Sequence, residues 1–252
     1  MKKLLTYFIL LSFFYSCQES NSIIWEENFD EPQLNESYWN YQLGDGCPNL
    51  CGWGNNERQI YTKENAKLEN GNLIITATKK GDIYGSSRIT TKGKMEFQYG
   101  SIEVRAKLPT GHGLWPAIWM LGGDIDEIGW PDCGEIDIME YVGKEPHTIY
   151  TSLHTRQSFG DTENSKKTID YAIEEGFHVY KSAWTKEKID FYIDNKLVYT
   201  FSPEEKNDKT WPFNKPFYII INLAIGGNFG GPEVDDTIFP KQFVIDYIKI
   251  WK

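Results

Sequence analysis

The sequence predicts an all-β sandwich. Short segments in which apolar and polar residues alternate recur along the chain, as at 101–108, where Ile102, Val104, Ala106 and Leu108 fall on one face. The chain also has 15 Tyr, 14 Phe and 9 Trp beside 22 Gly and 11 Pro, a mixture that suits many short strands joined by turns. No stretch has a convincing helical period, so we expect little helix.

The first 17 residues are predicted to be an export signal. Met1-Lys2-Lys3 is positively charged, and the apolar run 4–15 is too short to span a membrane. Cys17 follows a small serine and precedes the polar linker 18–22. This arrangement resembles a bacterial lipoprotein signal. We therefore expect an exported envelope protein that is lipidated at Cys17 and reaches a membrane only through that lipid. The alternative is an ordinary cleaved signal with an incidental cysteine.

Residues 23–252 are predicted to form one β-sandwich domain, because they contain no repeat, low-complexity tract or linker. Residues 188–201 read as a hairpin with its turn at 194–196, since apolar residues alternate on both sides of Asp-Asn-Lys. Further strands are predicted at 73–78, 217–224 and 243–251. Strands at this spacing are typical of a sandwich.

Three carboxylates, Glu135, Asp137 and Glu140, lie within six residues of an otherwise apolar run. In a strand, Glu135 and Asp137 share one face, and Glu140 is out of phase unless a β-bulge near Ile138 returns it to that face. Side chains leaning together would then bring the two glutamates to about 5–6 Å, close to the roughly 5–5.5 Å of retaining glycosidases.

The alternative for this stretch is a solvated edge strand whose charges guard against aggregation. Three acids with no Lys or Arg among them repel one another, and such a cost is typical of sites where pKa values are driven apart. This favours a catalytic site. A net charge of −10 and a pI near 5 argue against nucleic acid and anionic membranes as partners, and agree better with a neutral polysaccharide.

The acidic stretch 135–140 resembles the signature of glycoside hydrolase family 16 in its bulged form, E-x-D-x-x-E. Segments 113–121, 130–134, 52–57 and 222–228 are similar to the laminarinase branch of that family, the endo-β-1,3-glucanases. The resemblance covers about residues 23–252. It implies a β-jelly roll (concanavalin A-like), a sandwich of two antiparallel sheets with a concave substrate cleft.

The resemblance and the spacing together suggest a retaining mechanism on β-glucan. Glu135 would be the nucleophile, Glu140 the acid/base, and Asp137 the residue that tunes both, with no cofactor for the chemistry. Glu140 is expected to hold its proton near neutral pH while Glu135 stays charged. The alternatives are a mixed-linkage β-1,3-1,4-glucanase and, in a different class, a non-catalytic glycan-binding lipoprotein. We expect a monomer.

Aromatic side chains near these motifs are candidates for sugar binding. Trp53, Trp115, Trp119 and Trp130 are predicted to lie in the cleft, because sugar rings are recognised by flat aromatic faces. The remaining tryptophans considered are assigned to packing: Trp25, Trp39, Trp184 and Trp251. The resemblance implies that Trp115 and Trp119 shape the sugar sites beside the scissile bond.

Polar residues are also implied by the resemblance. Asn55, Asn56 and Arg88 would hydrogen-bond sugar hydroxyls, and His154 would lie in the cleft near the acid/base as a binding or orienting group. Asn228 lies in a turn, 226–231, that is too glycine-rich to be only a hairpin loop, and we include it as a binding residue.

Two structural features complete the expectations. Cys47 and Cys51 could form a disulfide in an exported protein, whereas zinc lacks a second ligand pair, and Cys133 would remain an unpaired buried side chain. The resemblance further implies a structural calcium ion on the convex side. Its ligand positions would be Asn28, Gly71 and Asp246.

Overall fold

The computed structural model describes residues 22–252, which form two packed β-sheets. The export signal 1–17, the lipidated Cys17 and nearly all of the linker 18–22 lie outside the described residues. In chain order the strands are β1 (Ile23–Glu27), β2 (Asn40–Tyr41), β3 (Gln59–Tyr61), β4 (Ala66–Glu69), β5 (Asn72–Lys80), β6 (Ile83–Ser86), β7 (Arg88–Thr90), β8 (Glu96–Phe97), β9 (Gly100–Lys107), β10 (Leu114–Gly122), β11 (Glu135–Tyr141), β12 (Thr148–His154), β13 (Ser165–Ile169), β14 (His178–Trp184), β15 (Ile189–Ile193), β16 (Lys196–Phe201), β17 (Phe217–Ile225) and β18 (Lys241–Trp251).

Helix is minor, as predicted. The described chain has two four-residue α-helices, α1 (Ile125–Ile128) and α2 (Gly227–Gly230), and two 3-10 segments, Cys51–Gly54 and Asp236–Ile238. The glycine-rich turn at 226–231 therefore contains a single helical turn. Among residues 22–252 no helix has the length and apolar character needed to cross a membrane.

The first sheet has ten strands in the order β16-β15-β14-β9-β18-β5-β6-β3, with β1 paired to β18 and β4 to β5. The second has eight, in the order β13-β12-β11-β10-β17-β7-β2, with β8 paired to β17. The two sheets are antiparallel as predicted, except that β3 runs parallel to β6. Strands that are neighbours in a sheet are often far apart in the sequence, as β10 and β17 are.

The core lies between the sheets because each strand turns its apolar face inward. On β9 the predicted face, Ile102, Val104 and Ala106, is buried to 1% exposure or less. Burying one such aliphatic side chain contributes roughly 1.5–3 kcal/mol. Trp39 and Trp184 are also buried, as predicted.

The predicted hairpin forms from β15 and β16. Asp194 and Asn195 have φ of 48° and 65°, which suits a two-residue turn with both central residues left-handed. The strands predicted at 73–78, 217–224 and 243–251 correspond to β5, β17 and β18.

Candidate active site

The acidic strand β11 lies inside the eight-stranded sheet, between β10 and β12. It is therefore not an edge strand, and the alternative of a charged guard strand is wrong. Asp137 pairs with Ser152 and Glu140 with Tyr150, so three steps on β11 oppose two on β12. The register to β10 shifts at the same place. The bulge predicted near Ile138 is confirmed, and it returns Glu140 to the face that carries Glu135 and Asp137.

Each glutamate accepts a hydrogen bond from an indole. Trp130 Nε1 donates to Glu135 Oε2 at 2.7 Å, and Trp115 Nε1 donates to Glu140 Oε1 at 3.0 Å. Each indole contacts one oxygen of its glutamate. The other carboxylate oxygen is thus left for a reacting group, which suits a nucleophile on one side and a proton donor on the other. Ala117 lies opposite Glu140 in the register.

His154 lies beside the acids at the end of β12. Its Nε2 is 3.1 Å from Asp137 Oδ2 and 3.8 Å from Glu135 Oε1. Its Nδ1 accepts a hydrogen bond from the Gly160 N–H at 3.1 Å, so the neutral ring carries its proton on Nε2, facing the acids. The short contact to Asp137 Oδ2 lacks hydrogen-bond geometry, and within the described chain this buried oxygen has no other partner.

Ligand atoms of Glu135, Asp137 and His154 lie within 4.8 Å of one another, close enough to hold a metal ion. The hydrogen bond from Gly160 opposes this, because a metal on Nε2 needs that nitrogen deprotonated. We therefore interpret His154 as a residue whose Nε2–H faces the acids, and not as a metal ligand.

Burial raises the pKa of all three acids. The pKa of Glu135 rises to about 8 through burial first and the Asp137 carboxylate second, while His154 and Trp130 oppose the rise. Burial also raises the pKa of Asp137 and raises that of Glu140 well above its usual range, with the Asp137 charge adding to the latter. The direction of the shift at Glu140 favours its protonated form near neutral pH, in line with the prediction for that residue. The raised pKa of Glu135 runs against the prediction that this group stays charged.

A second group of predicted residues forms a stack on the same sheet. The Arg88 guanidinium carbon lies 4.6 Å from the centroid of the Trp53 ring and 4.8 Å from that of Trp119. Such contacts contribute about 0.5–2 kcal/mol each. In the register of β10, Trp119 lies opposite Asp137. The stack therefore lies beside the three acids, and sugar binding by Trp53, Trp119 and Arg88 stays a prediction.

The predicted asparagines meet at one place. Asn56 Nδ2 donates to Asn228 Oδ1 at 2.8 Å, and the Asn228 N–H donates to the Asn55 carbonyl at 2.7 Å. A Cβ on Gly227 would lie 2.9 Å from the Asn55 carbonyl, so this close approach requires glycine. The side chains of Asn56 and Asn228 remain exposed and are free to contact a ligand.

Two aromatic residues extend the site although the sequence analysis did not select them. Phe229 makes edge contacts with Trp115 at 5.4 Å and with Tyr150 at 4.8 Å, and Phe159 makes one with Trp130 at 5.3 Å. Trp130 and Phe159 are 45% and 50% exposed. Phe229 lies within the glycine-rich turn 226–231, and that turn was the feature of the sequence that could have indicated it. Phe159 lies in a polar loop that has no such feature.

The cysteines are arranged as expected. A disulfide joins Cys47 to Cys51 in the loop that leads to Trp53, and Cys133 is free and buried. Burial raises the pKa of the Cys133 thiol to about 12, so it is not a nucleophile at neutral pH.

The predicted calcium ligands fit only in part. A Cβ on Gly71 would lie 3.1 Å from Asp30 Oδ1 and 4.0 Å from the Asn28 carbonyl, so oxygen donors border this turn. Asp246 is instead paired with Arg105, and a cation would have to compete with that guanidinium. Calcium stays a prediction, and a melting temperature unchanged by calcium or a chelator would rule it out.

Comparisons with known proteins agree with this geometry. The family model described as glycosyl hydrolases family 16 matches residues 54–249. A laminarinase structure from Flavobacterium sp. UMI-01 superposes with a TM-score of 0.90 at 63% identity, covering 92% of this chain and 100% of that one. A β-glucanase of Rhodothermus marinus is 40% identical over 249 residues, 91% of this chain and 85% of the relative.

A second similar structure was crystallised with sugar. It is a mutant of a non-specific endo-β-1,3(4)-glucanase of family 16, co-crystallised with 1,3-β-D-cellotriosyl-glucose and presenting 1,3-β-D-cellobiosyl-glucose at its active site. Its TM-score is 0.85 at 35% identity, covering 93% of this chain and 95% of that one. From the matched family model and these relatives, this chain belongs to the glycosyl hydrolases of family 16.

Proposed function

We propose that this protein is a retaining endo-β-glucanase that hydrolyses β-1,3-glucosidic bonds in laminarin-type glucans. The observation that carries the proposal is the bulged strand β11, which presents three carboxyl groups on one face and gives each glutamate its own indole donor. The laminarinase similar to this chain supports the choice of substrate.

The first step forms a covalent intermediate. The Glu135 carboxylate attacks the anomeric carbon, the bond to the leaving glycosidic oxygen breaks, and Glu140 gives its proton to that oxygen. In the second step Glu140, now ionised, takes a proton from water as the water attacks the anomeric carbon and releases Glu135. Two displacements at one carbon retain its configuration.

The mechanism needs one ionised and one protonated glutamate. The raised pKa of Glu140 supports the protonated one, whereas burial opposes the charged form of Glu135. Glu135 must be charged and Glu140 protonated when the first step begins, and the Trp130 N–H favours the charged form of Glu135. The Asp137 charge raises the pKa of both glutamates. When Glu140 loses its proton, the Nε2–H of His154 lies beside the acid cluster and lowers the cost of the added charge. The three acids titrate as one coupled set.

The linkage is tested by comparing glucans. We expect reducing ends to be released fastest from laminarin, with oligosaccharide products, and more slowly from lichenan. No release is expected from agarose. Faster release from lichenan would favour the mixed-linkage activity, which the non-specific 1,3(4)-glucanase similar to this chain makes the second candidate. Binding of laminarin without any release would favour the glycan-binding alternative.

We further propose export and lipid attachment at Cys17. The charged and apolar N-terminal segments and the polar residues 18–22 support this, and a Cys47–Cys51 disulfide suits an oxidising compartment. Radiolabelled palmitate should label the wild-type protein and not Cys17→Ser when both are expressed in a bacterium that processes lipoproteins. Equal labelling of the two would contradict the proposal.

A further inference from the structure

A chain of hydrogen bonds runs from the cleft residue Trp119 to Glu57. Trp119 Nε1 donates to Asn222 Oδ1 at 2.7 Å, and Asn222 Nδ2 donates to the Tyr61 hydroxyl at 3.1 Å. The Tyr61 hydroxyl donates to Glu57 Oε2 at 3.1 Å. Four residues from three separate parts of the sequence are thus joined in one line.

The direction of every bond in this line is fixed. An indole can only donate, so the Asn222 carbonyl oxygen must face Trp119 and its amide nitrogen must face Tyr61. The hydroxyl proton of Tyr61 is then directed to Glu57. Glu57 also accepts from Gln59 Nε2 at 2.6 Å and from Asn55 Nδ2 at 3.4 Å. Several donors converging on one carboxyl group favour its ionised form, which only accepts, and so oppose the burial that raises the pKa of Glu57.

The line is also buried, so breaking it has a cost. Tyr61 is 1% exposed and Asn222 is 5% exposed. Removing one partner in such a place leaves a buried polar group without a hydrogen-bond partner, which is unfavourable. We therefore expect the remaining side chains of the line to change position when one of its hydrogen bonds is removed.

Arg88 connects the two ends of the line. It stacks on Trp119, and its positive charge lowers the pKa of Glu57 against the larger effect of burial. Trp53, which also contacts Arg88, has its ring centroid 5.4 Å from that of Tyr61. Glu57 thus acts on Trp119 through hydrogen bonds and on Arg88 through charge.

We infer that Glu57 is a positioning residue for glucan binding, and that it fixes the Trp119 ring and Arg88 beside the catalytic acids through Tyr61 and Asn222. The inference rests on the proposed function for its effect on hydrolysis. It requires no contact between Glu57 and the sugar. Trp119 lies opposite Asp137 in the register. A tilt of its ring would therefore change the surface on which the sugar rests beside the reacting bond.

The test replaces Tyr61 by phenylalanine, which keeps the ring and removes the hydroxyl. The matched control is Tyr180→Phe, because Tyr180 is equally buried and its hydroxyl has no partner among the described residues. We expect Tyr61→Phe to raise KM for laminari-oligosaccharides about tenfold and to lower kcat less than threefold, and Tyr180→Phe to change neither. Glu57→Gln should raise KM as Tyr61→Phe does.

A second readout needs no substrate. The indole N–H resonance of Trp119, assigned by its loss in Trp119→Phe, should shift in Tyr61→Phe and Glu57→Gln and stay in place in Tyr180→Phe. A loss of thermal stability without a shift of that resonance or a change in KM would overturn the inference. Failure of the wild-type protein to cleave any β-glucan would instead overturn the proposed function, and the resonance would still decide whether the line positions Trp119.

Discussion

Glu135→Gln is expected to lower kcat on laminarin by at least about 10⁴-fold, since loss of a covalent nucleophile removes the main reaction path. Glutamine has nearly the shape of glutamate, and its carbonyl oxygen can still accept the hydrogen bond from Trp130. The fold should therefore persist. Initial rates of reducing-end release from laminarin measure the effect, with the exposed Glu187→Gln as control. A loss of less than tenfold would contradict the assignment.

The same variant should be more stable than the wild-type protein at high pH. Because the pKa of Glu135 is raised from 4.5 to about 8, the folded protein keeps a proton in this window that the unfolded chain releases. Ionisation of this residue in the unfolded chain therefore lowers the free energy of unfolding as pH rises from about 4.5 to 8. Glutamine does not ionise, so we expect a melting temperature roughly 2–4 °C or more higher at pH 8 and no gain at pH 4.

Glu140→Ala is expected to lose about 10³-fold on laminarin but far less on an aryl β-glucoside oligomer with a good leaving group. A sugar alkoxide needs a proton to leave, whereas an activated phenolate does not. Azide should raise the rate on the aryl substrate and yield a β-glycosyl azide, since azide attacks the intermediate without a general base.

Trp115→Phe is the control for this second variant, because it removes the indole that donates to Glu140 and leaves the acid in place. We expect a smaller loss, about tenfold, and no azide rescue. Equal losses on laminarin and on the aryl substrate in Glu140→Ala would contradict the role of Glu140 as the acid/base.

The acidic strand could be predicted because the spacing of neighbouring residues determines which side chains share a face. A period of two places Glu135 and Asp137, and the one extra residue before Glu140 requires a bulge that the pairing with β12 then shows. Alternation also predicted β9 and the hairpin of β15 and β16. These elements depend on neighbouring residues, which the sequence displays directly.

The hydrogen-bonded line was not predictable, because it depends on the register of strands far apart in sequence. Asn222 meets Trp119 only because β17 pairs with β10, and it meets Tyr61 only because β3 packs near that pair. Glu57 and Asn222 both lay in segments that resembled the family, yet nothing in their neighbours indicated that they would be joined. The parallel pairing of β3 with β6 was missed for the same reason.

Peptide mapping after reaction with a 2-deoxy-2-fluoro-β-laminaribiosyl fluoride tests the double displacement most directly. Such a reagent forms the glycosyl-enzyme and slows its hydrolysis, so that the labelled carboxylate can be identified by mass spectrometry. The account predicts one label, on Glu135, in the peptide that contains β11. A label on Glu140 or Asp137, or turnover that releases the α-anomer first, would contradict it.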